Sequence, residues 1–490
     1  MILIILPNQL FPIKMIKTIF NKDLQQILEE VILIEEPRYF TDYKFHKLKL
    51  IYHRASMKSY EKELNKSKIK TSYIDFNKVT ISKYKLLNKD TTYYFNPIDH
   101  NLSKKFVKLL PKAMQLNNLN FLLTLTEIED NKDIFYKNNK YSHEEFYKFQ
   151  RKRLDILIKN NTPTGGKWSY DSENRLALPK GIQIPALPKI KKNKFYTEAI
   201  LYVNKHFKSN YGSIENWIFP IDNKSAIKWL RVFLVKRLNN FGPYEDAVSS
   251  ENHFLFHSVL SPMMNIGILP DKQVVDISNK YYIKHKSSIS LPSFEGFIRQ
   301  VIGWRNYVYA IYMLEPNMYE VNHLKHYNKI SEKYWLGNTG ITPIDSIIKN
   351  IVSYSYFHHI ERLMYLGNWF LINQAAPKEV HRIFMEWTID AYDWVMVPNI
   401  MGMSQYADGG KMMTRIYFSS SNYISKMSDY KKTADDLWWE KWDDVYYAFS
   451  NKHYDLLSKN YATARQTAHW KKKTEKEKED ILLRARKITL

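Results

Sequence analysis

Short apolar runs alternating with polar, helix-compatible stretches over the first 125 residues constrain this chain more than any other feature. Ile2–Leu6, Val31–Ile34, Thr71–Phe76, Thr92–Phe95 and Phe121–Leu125 are each too short for a buried helix and read as strands covered on both faces. Met57–Lys66 and Ser103–Met114 read as helices between them. That alternation predicts a doubly wound parallel sheet. Ligands of such sheets sit beyond the strand C-termini, so Pro7-Asn8-Gln9-Leu10 and Glu35-Glu36 fall at the ligand edge. No glycine-rich phosphate fingerprint follows these runs, which argues against a dinucleotide there.

A chain of 490 residues exceeds what one ordinary core supports. Residues 1–125 form the α/β domain. Residues 126–195 are poor in apolar periodicity and hold Gly165-Gly166-Lys167-Trp168-Ser169-Tyr170-Asp171 and the proline-spaced run Leu178 to Lys192, so they read as a long extended connection. From 196 to 490 helical periodicity dominates, broken by Gly, Pro and Asn, and predicts an all-α C-terminal domain.

The chain has no cysteine, which excludes disulfides and thiolate-held metals. Lys and Arg number 73 against 50 Asp and Glu, a net charge of +23. An excess that large favours a polyanionic partner, because a basic surface gains affinity by releasing phosphate counterions. A membrane surface is the competing anion, but no apolar run of about 18 residues is present to span one. The start, Met1 to Asn8, is too short and lacks the basic leader of a secretory signal. A cytoplasmic protein is expected, nucleoid-associated if the cell is bacterial. Aromatic residues make up 15% of the chain and offer flat surface to a flavin or nucleobase, although an AT-rich genome would give the same bias toward Lys, Asn, Ile and Tyr.

Tyr356-Phe357-His358-His359-Ile360-Glu361-Arg362 places adjacent histidines in an apolar, helix-compatible stretch. On a helix His359 and Arg362 share a face. A titratable imidazole beside a fixed cation suits proton donation at a buried site; a satisfied core histidine is the ordinary alternative. Ser258-Val259-Leu260-Ser261-Pro262 offers hydroxyls and a Pro-started helix, whose N-terminus could hold phosphate or be merely capped. Arg299, Trp304 and Arg305 interleave cations with aromatics, as phosphate contacts and base stacking require, or as an amphipathic helix does with Arg on its wet side. In the connection, Lys167 and Trp168 suit a phosphate and a stacked base, and Asp171 suits a divalent cation such as Mg²⁺ held through water. The same loop could equally pack on the helical domain with Trp168 as its anchor.

In this order, the Leu-Ser-Pro helix start, the segment Arg299 to Arg305, the segment His358 to Met364 and the stretch Asp390 to Gly410 resemble the photolyase/cryptochrome superfamily. The last two, with Pro163 to Asp171 and Lys426 to Tyr430, look like its bacterial branch that repairs (6-4) photoproducts. The resemblance implies an N-terminal antenna domain, a long linker and a helical domain holding FAD. It implies Ser258, Leu260 and Ser261 at the flavin phosphates, Arg305, Arg362 and Trp394 in the flavin pocket, and Asp390 facing flavin N5. It implies Asp408, Gly409 and Gly410 on the adenine and ribose side. His359, with His358 beside it, matches the histidine that protonates the lesion. The branch antenna is typically 6,7-dimethyl-8-ribityllumazine near the first strand ends, which makes Asn8, Gln9 and Glu35 the candidates here.

Two departures stand out. The branch normally holds a [4Fe–4S] cluster on four cysteines, which fall here near Pro343, at Lys431 and Ala434, and near Glu440, so no iron–sulfur cluster is expected. Trp438, Trp439 and Trp442 are expected to fill that volume. A Trp-Tyr pair of the branch is replaced by Ile383 and Phe384, so an electron relay would run elsewhere, for example through Trp387, Trp394 or Trp369. What the resemblance implies is a monomeric, light-driven lyase acting on UV-damaged DNA. A cryptochrome-type photoreceptor, a cyclobutane-dimer photolyase and a DNA-binding protein that has lost its flavin are the alternatives.

Overall fold

The computed structural model describes residues 1–20, 24–460, 463–488 and 490. A five-stranded parallel sheet forms the N-terminal part, with β1 at Ile2–Ile5, β2 at Glu30–Ile34, β3 at Thr71–Ile74, β4 at Thr92–Phe95 and β5 at Met114–Leu116. Its order is β3-β2-β1-β4-β5, so the winding reverses between β1 and β4. Leu3, Ile4, Ile5, Val31 and Leu33 are buried completely, as near-continuous apolar runs in a helix-covered sheet should be.

The last strand differs from expectation. Phe121–Leu125 is not a strand: Phe121 stacks on Tyr309 with centroids 3.9 Å apart, and the Leu122 amide donates to Asn306 Oδ1 at 3.0 Å. The run is apolar because it wedges against the helical part. Met114, expected as the last residue of the helix from Ser103, instead opens the strand Met114–Leu116, which pairs with β4 and is too short and too exposed to read as a buried run.

The connection is not extended throughout. Thr124 and Glu127 cap a helix at Leu125–Asp130 reciprocally, and Ser142 caps the helix His143–Arg153. The irregular part begins after Leu154 and holds a short antiparallel pair, Ile158–Lys159 with Thr162–Pro163; beyond that pair every regular element among the described residues is helical.

Three helices of this part contain π-helical turns, at Arg299–Arg305, Glu361–Gly367 and Pro398–Ser404. A π turn inserts an extra residue and re-aims the side chains around it, and such turns concentrate at functional sites. All three border one cavity.

The sheet's ligand edge abuts the helical part. Arg38, beyond β2, pairs with Asp99 beyond β4 and with Asp393, and the Leu10 amide donates to the Ile266 carbonyl at 2.9 Å. His46 accepts from the Leu48 amide through Nδ1 at 3.1 Å and donates through Nε2 to the Val352 carbonyl at 3.0 Å.

Candidate active site

The cavity has a volume of about 870 Å³. Ser258, Leu260, Ser261, Arg305, Arg362, Asp390 and Trp394 all line it, as do His358, His359, Lys167, Trp168, Asp171, Arg299 and Trp304. Segments more than two hundred residues apart thus meet at one surface.

At its inner end, Asp390 accepts from Arg362 Nη2 at 2.8 and 3.0 Å and from Ser261 Oγ at 2.5 Å. The Asn265 amide donates to the Asp390 carbonyl at 2.6 Å. Arg305 donates through Nε to buried Asp271 at 2.6 Å and through Nη1 to Asn265, while its guanidinium lies over Trp394, 4.8 Å from the ring centroid. Arg305 Nη2 is buried and has no partner. Arg305 itself lines the cavity, and an unsatisfied cationic donor is costly unless an anionic group takes it. The Pro-started helix is only Ser261–Asn265, too short for an appreciable dipole.

Asp408, Gly409 and Gly410 are not among the lining residues. Asp408 accepts from the Gly410 and Met412 amides at 2.9 and 2.7 Å, closing a turn in which both glycines have positive φ. Burial pushes its carboxyl up to about 6.

His359 is the exposed member of an otherwise buried run because its ring faces the cavity, while protein encloses it on its other sides. That enclosure, followed by the Arg362 charge, holds the imidazole down at about 4. His358 is buried and stacks on His257, which also lines the cavity. Burial first, and then the cost of adding positive charge beside His257, the other histidines and Arg362, hold His358 well below the usual range. His257 was not singled out from sequence; its place two residues before Val259 in the phosphate-side segment was the available signal.

Toward the mouth, Trp304 stacks on His143 with centroids 3.7 Å apart. Arg299 is not available as a free phosphate contact: it pairs with Glu295 at 3.2 Å, Asp171 at 3.1 Å and Glu245 at 3.8 Å. Asp171 is held by Arg299 and Arg175 rather than left open for a cation, and among the described residues no group of three or more His, Asp or Glu is arranged to hold a metal ion. Lys167 pairs with Glu173 at 3.0 Å, and the half-buried Trp168 ring lies 5.2 Å from the Arg151 guanidinium. The sequence reading missed Arg175, Arg415, Glu245 and Asp246, all lining residues. Burial raises Glu245 to about 8 and Asp246 to about 6.

The strand-end candidates are occupied by the protein itself. Gln9 donates to the Phe95 and Asn96 carbonyls, Asn8 to the Pro97 carbonyl, and Glu35 accepts from Arg54, Tyr73, Tyr202 and the Phe76 amide. The gap beside Asn8 measures about 10 Å³. A single water needs about that much, so the gap beside Asn8 as it is packed is too small for a bicyclic lumazine.

In the region of the absent cysteines, Thr342 Oγ1 donates to Asp436 at 2.6 Å and Lys441 to the Gly340 carbonyl at 3.2 Å, which draws the two segments together. Trp442 is fully buried against Trp369, centroids 5.0 Å apart, and Trp438 is buried beside it, while Trp439 is half-buried. Ile383 and Phe384 are buried, and Phe384 lines the cavity. Trp387 lies 5.5 Å from Trp335, and neither lines the cavity.

Residues 3–219 match the family model of deoxyribodipyrimidine photo-lyase-related proteins. The chain is 35% identical over 350 residues to a (6-4) photolyase of Agrobacterium fabrum, covering 70% of this chain and 69% of that one. Its fold is similar to a class III photolyase of Agrobacterium tumefaciens at a TM-score of 0.61, with 13% identity over 99% of this chain and 97% of that one. It is also similar to an archaeal photolyase from Sulfolobus tokodaii, solved with two FAD molecules, at a TM-score of 0.53, with 14% identity over 100% of both chains. With the fold, the cavity and these likenesses in agreement, the chain belongs to the photolyase/cryptochrome superfamily, in the branch that contains the bacterial (6-4) photolyases.

Proposed function

We propose that this protein is a DNA photolyase that reverses (6-4) pyrimidine–pyrimidone photoproducts in light. Residues 196–490 form its catalytic domain, residues 1–125 its α/β domain and residues 126–195 the connection between them. The observation that carries the reading is that one cavity unites the Arg305, Asp390 and Arg362 constellation with the inward-facing ring of His359. The residues present fit an FAD: Arg305 Nη2 has a free donor for its diphosphate, and the Arg362–Asp390 pair is a polar edge for its ring system. Reduced FAD, when bound, supplies a photoexcited electron to the lesion.

The chain's own residues do the rest. Trp304, braced by His143, offers a flat face to a base that has left the duplex stack, and a damaged pair unstacks at low cost. Arg415 at the mouth meets phosphates, which position the strand without reading it. His359 is neutral in the free protein. Entry of phosphate and flavin anions favours its charged form, so the proton arrives with the substrate. The ring then holds that proton at the nitrogen facing the lesion, gives it to the group being transferred and takes it back afterwards. Arg362, hydrogen-bonded to the Phe357 carbonyl at 2.9 Å, keeps the helix face oriented.

The test uses the protein with its own flavin and oligonucleotides carrying a single (6-4) photoproduct or a single cyclobutane dimer. Restoration of the (6-4) lesion alone, in blue light and not in the dark, is the expected result. Repair of the dimer instead, or of neither lesion with FAD bound, would replace this reading with a dimer photolyase or a photoreceptor.

A further inference from the structure

His253 lies behind the histidine wall and is not among the residues lining the cavity. Its Nε2 is 2.6 Å from the Tyr356 carbonyl oxygen, which can only accept. Its Nδ1 is buried, makes no hydrogen bond, and lies 3.5 Å from Glu361 Oε1, within the reach of an ion pair. A neutral imidazole has one donor and one acceptor nitrogen, so a ring that faces a carbonyl and a carboxylate needs a hydrogen on both. The other Glu361 oxygen accepts the His358 amide at 3.0 Å, in the first turn of a helix, where the ionised form of a carboxyl is favoured. His358 Nε2 lies 3.6 Å from that same oxygen. Glu361 is 1% exposed, and an uncompensated carboxylate there would be strongly destabilising.

We propose that His253 is a buried imidazolium paired with the Glu361 carboxylate, and that the pair positions the histidine wall. It ties the segment leading into Ser258 to the first turn of the helix that carries His358 and His359. His358 is thereby pinned against His257, and the more exposed His359 is set beside them on the cavity face. Only that last consequence rests on the repair reading. The titratable groups facing the pair are His358 and His257, with Arg237 behind His257, and Tyr356, Tyr365 and Tyr430 around Glu361. The ion pair exists only while His253 carries a hydrogen on both ring nitrogens.

The experiment uses the flavin-containing protein labelled with ¹⁵N in histidine. An imidazolium signal should persist at neutral pH and vanish in both His253→Gln and Glu361→Gln. Repair of the (6-4) oligonucleotide is then followed against pH. The parent should lose activity along the alkaline limb. Glu361→Gln, whose amide donates to a neutral His253 and still accepts from the His358 amide, should stay within about threefold of the parent and be flat on that limb, whereas Glu361→Ala should lose about tenfold or more. No imidazolium signal assignable to His253, or a Glu361→Ala variant with the parent's rate and pH profile, would overturn the proposal. If the parent repairs no (6-4) lesion at all, the repair reading falls, and the NMR arm still decides the pair.

Discussion

His257 and His358 lie ring on ring, with centroids 4.1 Å apart and planes 18° from parallel. Two imidazolium rings at that distance would repel, so the stack requires at least one neutral ring. Burial supplies the condition, holding His257 at about 3 and His358 well below the usual range. This stretch of the cavity wall is therefore built from uncharged aromatic nitrogen.

Other buried histidines make the fold acid-labile. His46 is fully buried, and burial holds it down at about 4, against an ordinary value of 6.5. The unfolded chain takes up this proton below its ordinary value and the folded chain resists until about 4, so stability falls with pH across that window. The loss is on the order of 3 kcal/mol for this residue at about 1.4 kcal/mol per pH unit. His46→Asn can still accept from the Leu48 amide and does not titrate, so its melting temperature should decline less steeply between pH 6.5 and 4. Calorimetry showing the parent's slope in the variant would contradict this.

The tryptophans near the missing cysteines should be structural. Trp442→Ala removes a fully buried ring and should cost about 3–5 kcal/mol in denaturant unfolding. Trp439→Ala, at a half-buried ring, should cost clearly less. Equal losses would mean that burial does not rank these side chains. Iron analysis of the purified protein should find none in stoichiometric amount, since the chain has no thiolate to hold a cluster.

Arg305→Lys separates two functions of one side chain. An ammonium can keep the pairing to Asp271 but lacks the free Nη2 donor. Loss of one charge-assisted hydrogen bond should weaken FAD binding about tenfold or more without lowering the melting temperature of the flavin-free protein by more than a few degrees. Equal flavin affinity in parent and variant would remove Arg305 from the diphosphate site.

The loop after Gly165 is latched by Asp171, which bridges Arg299 and Arg175, and by the Tyr170 amide, which donates to Glu295 at 3.0 Å. Asp171→Asn weakens the first of these. Limited proteolysis between residues 164 and 176 should then run severalfold faster, with flavin content unchanged. Cleavage at the parent's rate would leave the latch to Tyr170.

What could be read in the sequence followed from local signals. The β1 and β2 runs were legible because a buried parallel strand is apolar along its length, whereas β3, read as buried, is half-buried at every residue; the shared face of His359 and Arg362 was legible because helix spacing is a property of neighbours. The gathering of Ser258, Arg305, Asp390 and Trp394 into one cavity came through ordered resemblance rather than through any local pattern. The misses are long-range. Arg299 reads as a phosphate contact until the structure gives it Glu295, Asp171 and Glu245. Glu35 reads as a ligand-edge residue until Arg54, Tyr73 and Tyr202 converge on it. The π turns at Arg299, Glu361 and Pro398 leave no composition signal, because a π turn is imposed by packing on residues that would otherwise continue an α-helix.

The central claim is that His359 supplies a proton after light has been absorbed in the same cavity. The direct measurement compares parent and His359→Ala, loaded with equal FAD, for binding of a (6-4)-containing duplex and for its repair under blue light. The account predicts unchanged flavin content, damaged-DNA affinity within about threefold, and repair lowered by at least about a hundredfold, the range general acid–base catalysis supplies. Repair by the variant at a rate near the parent's would contradict it.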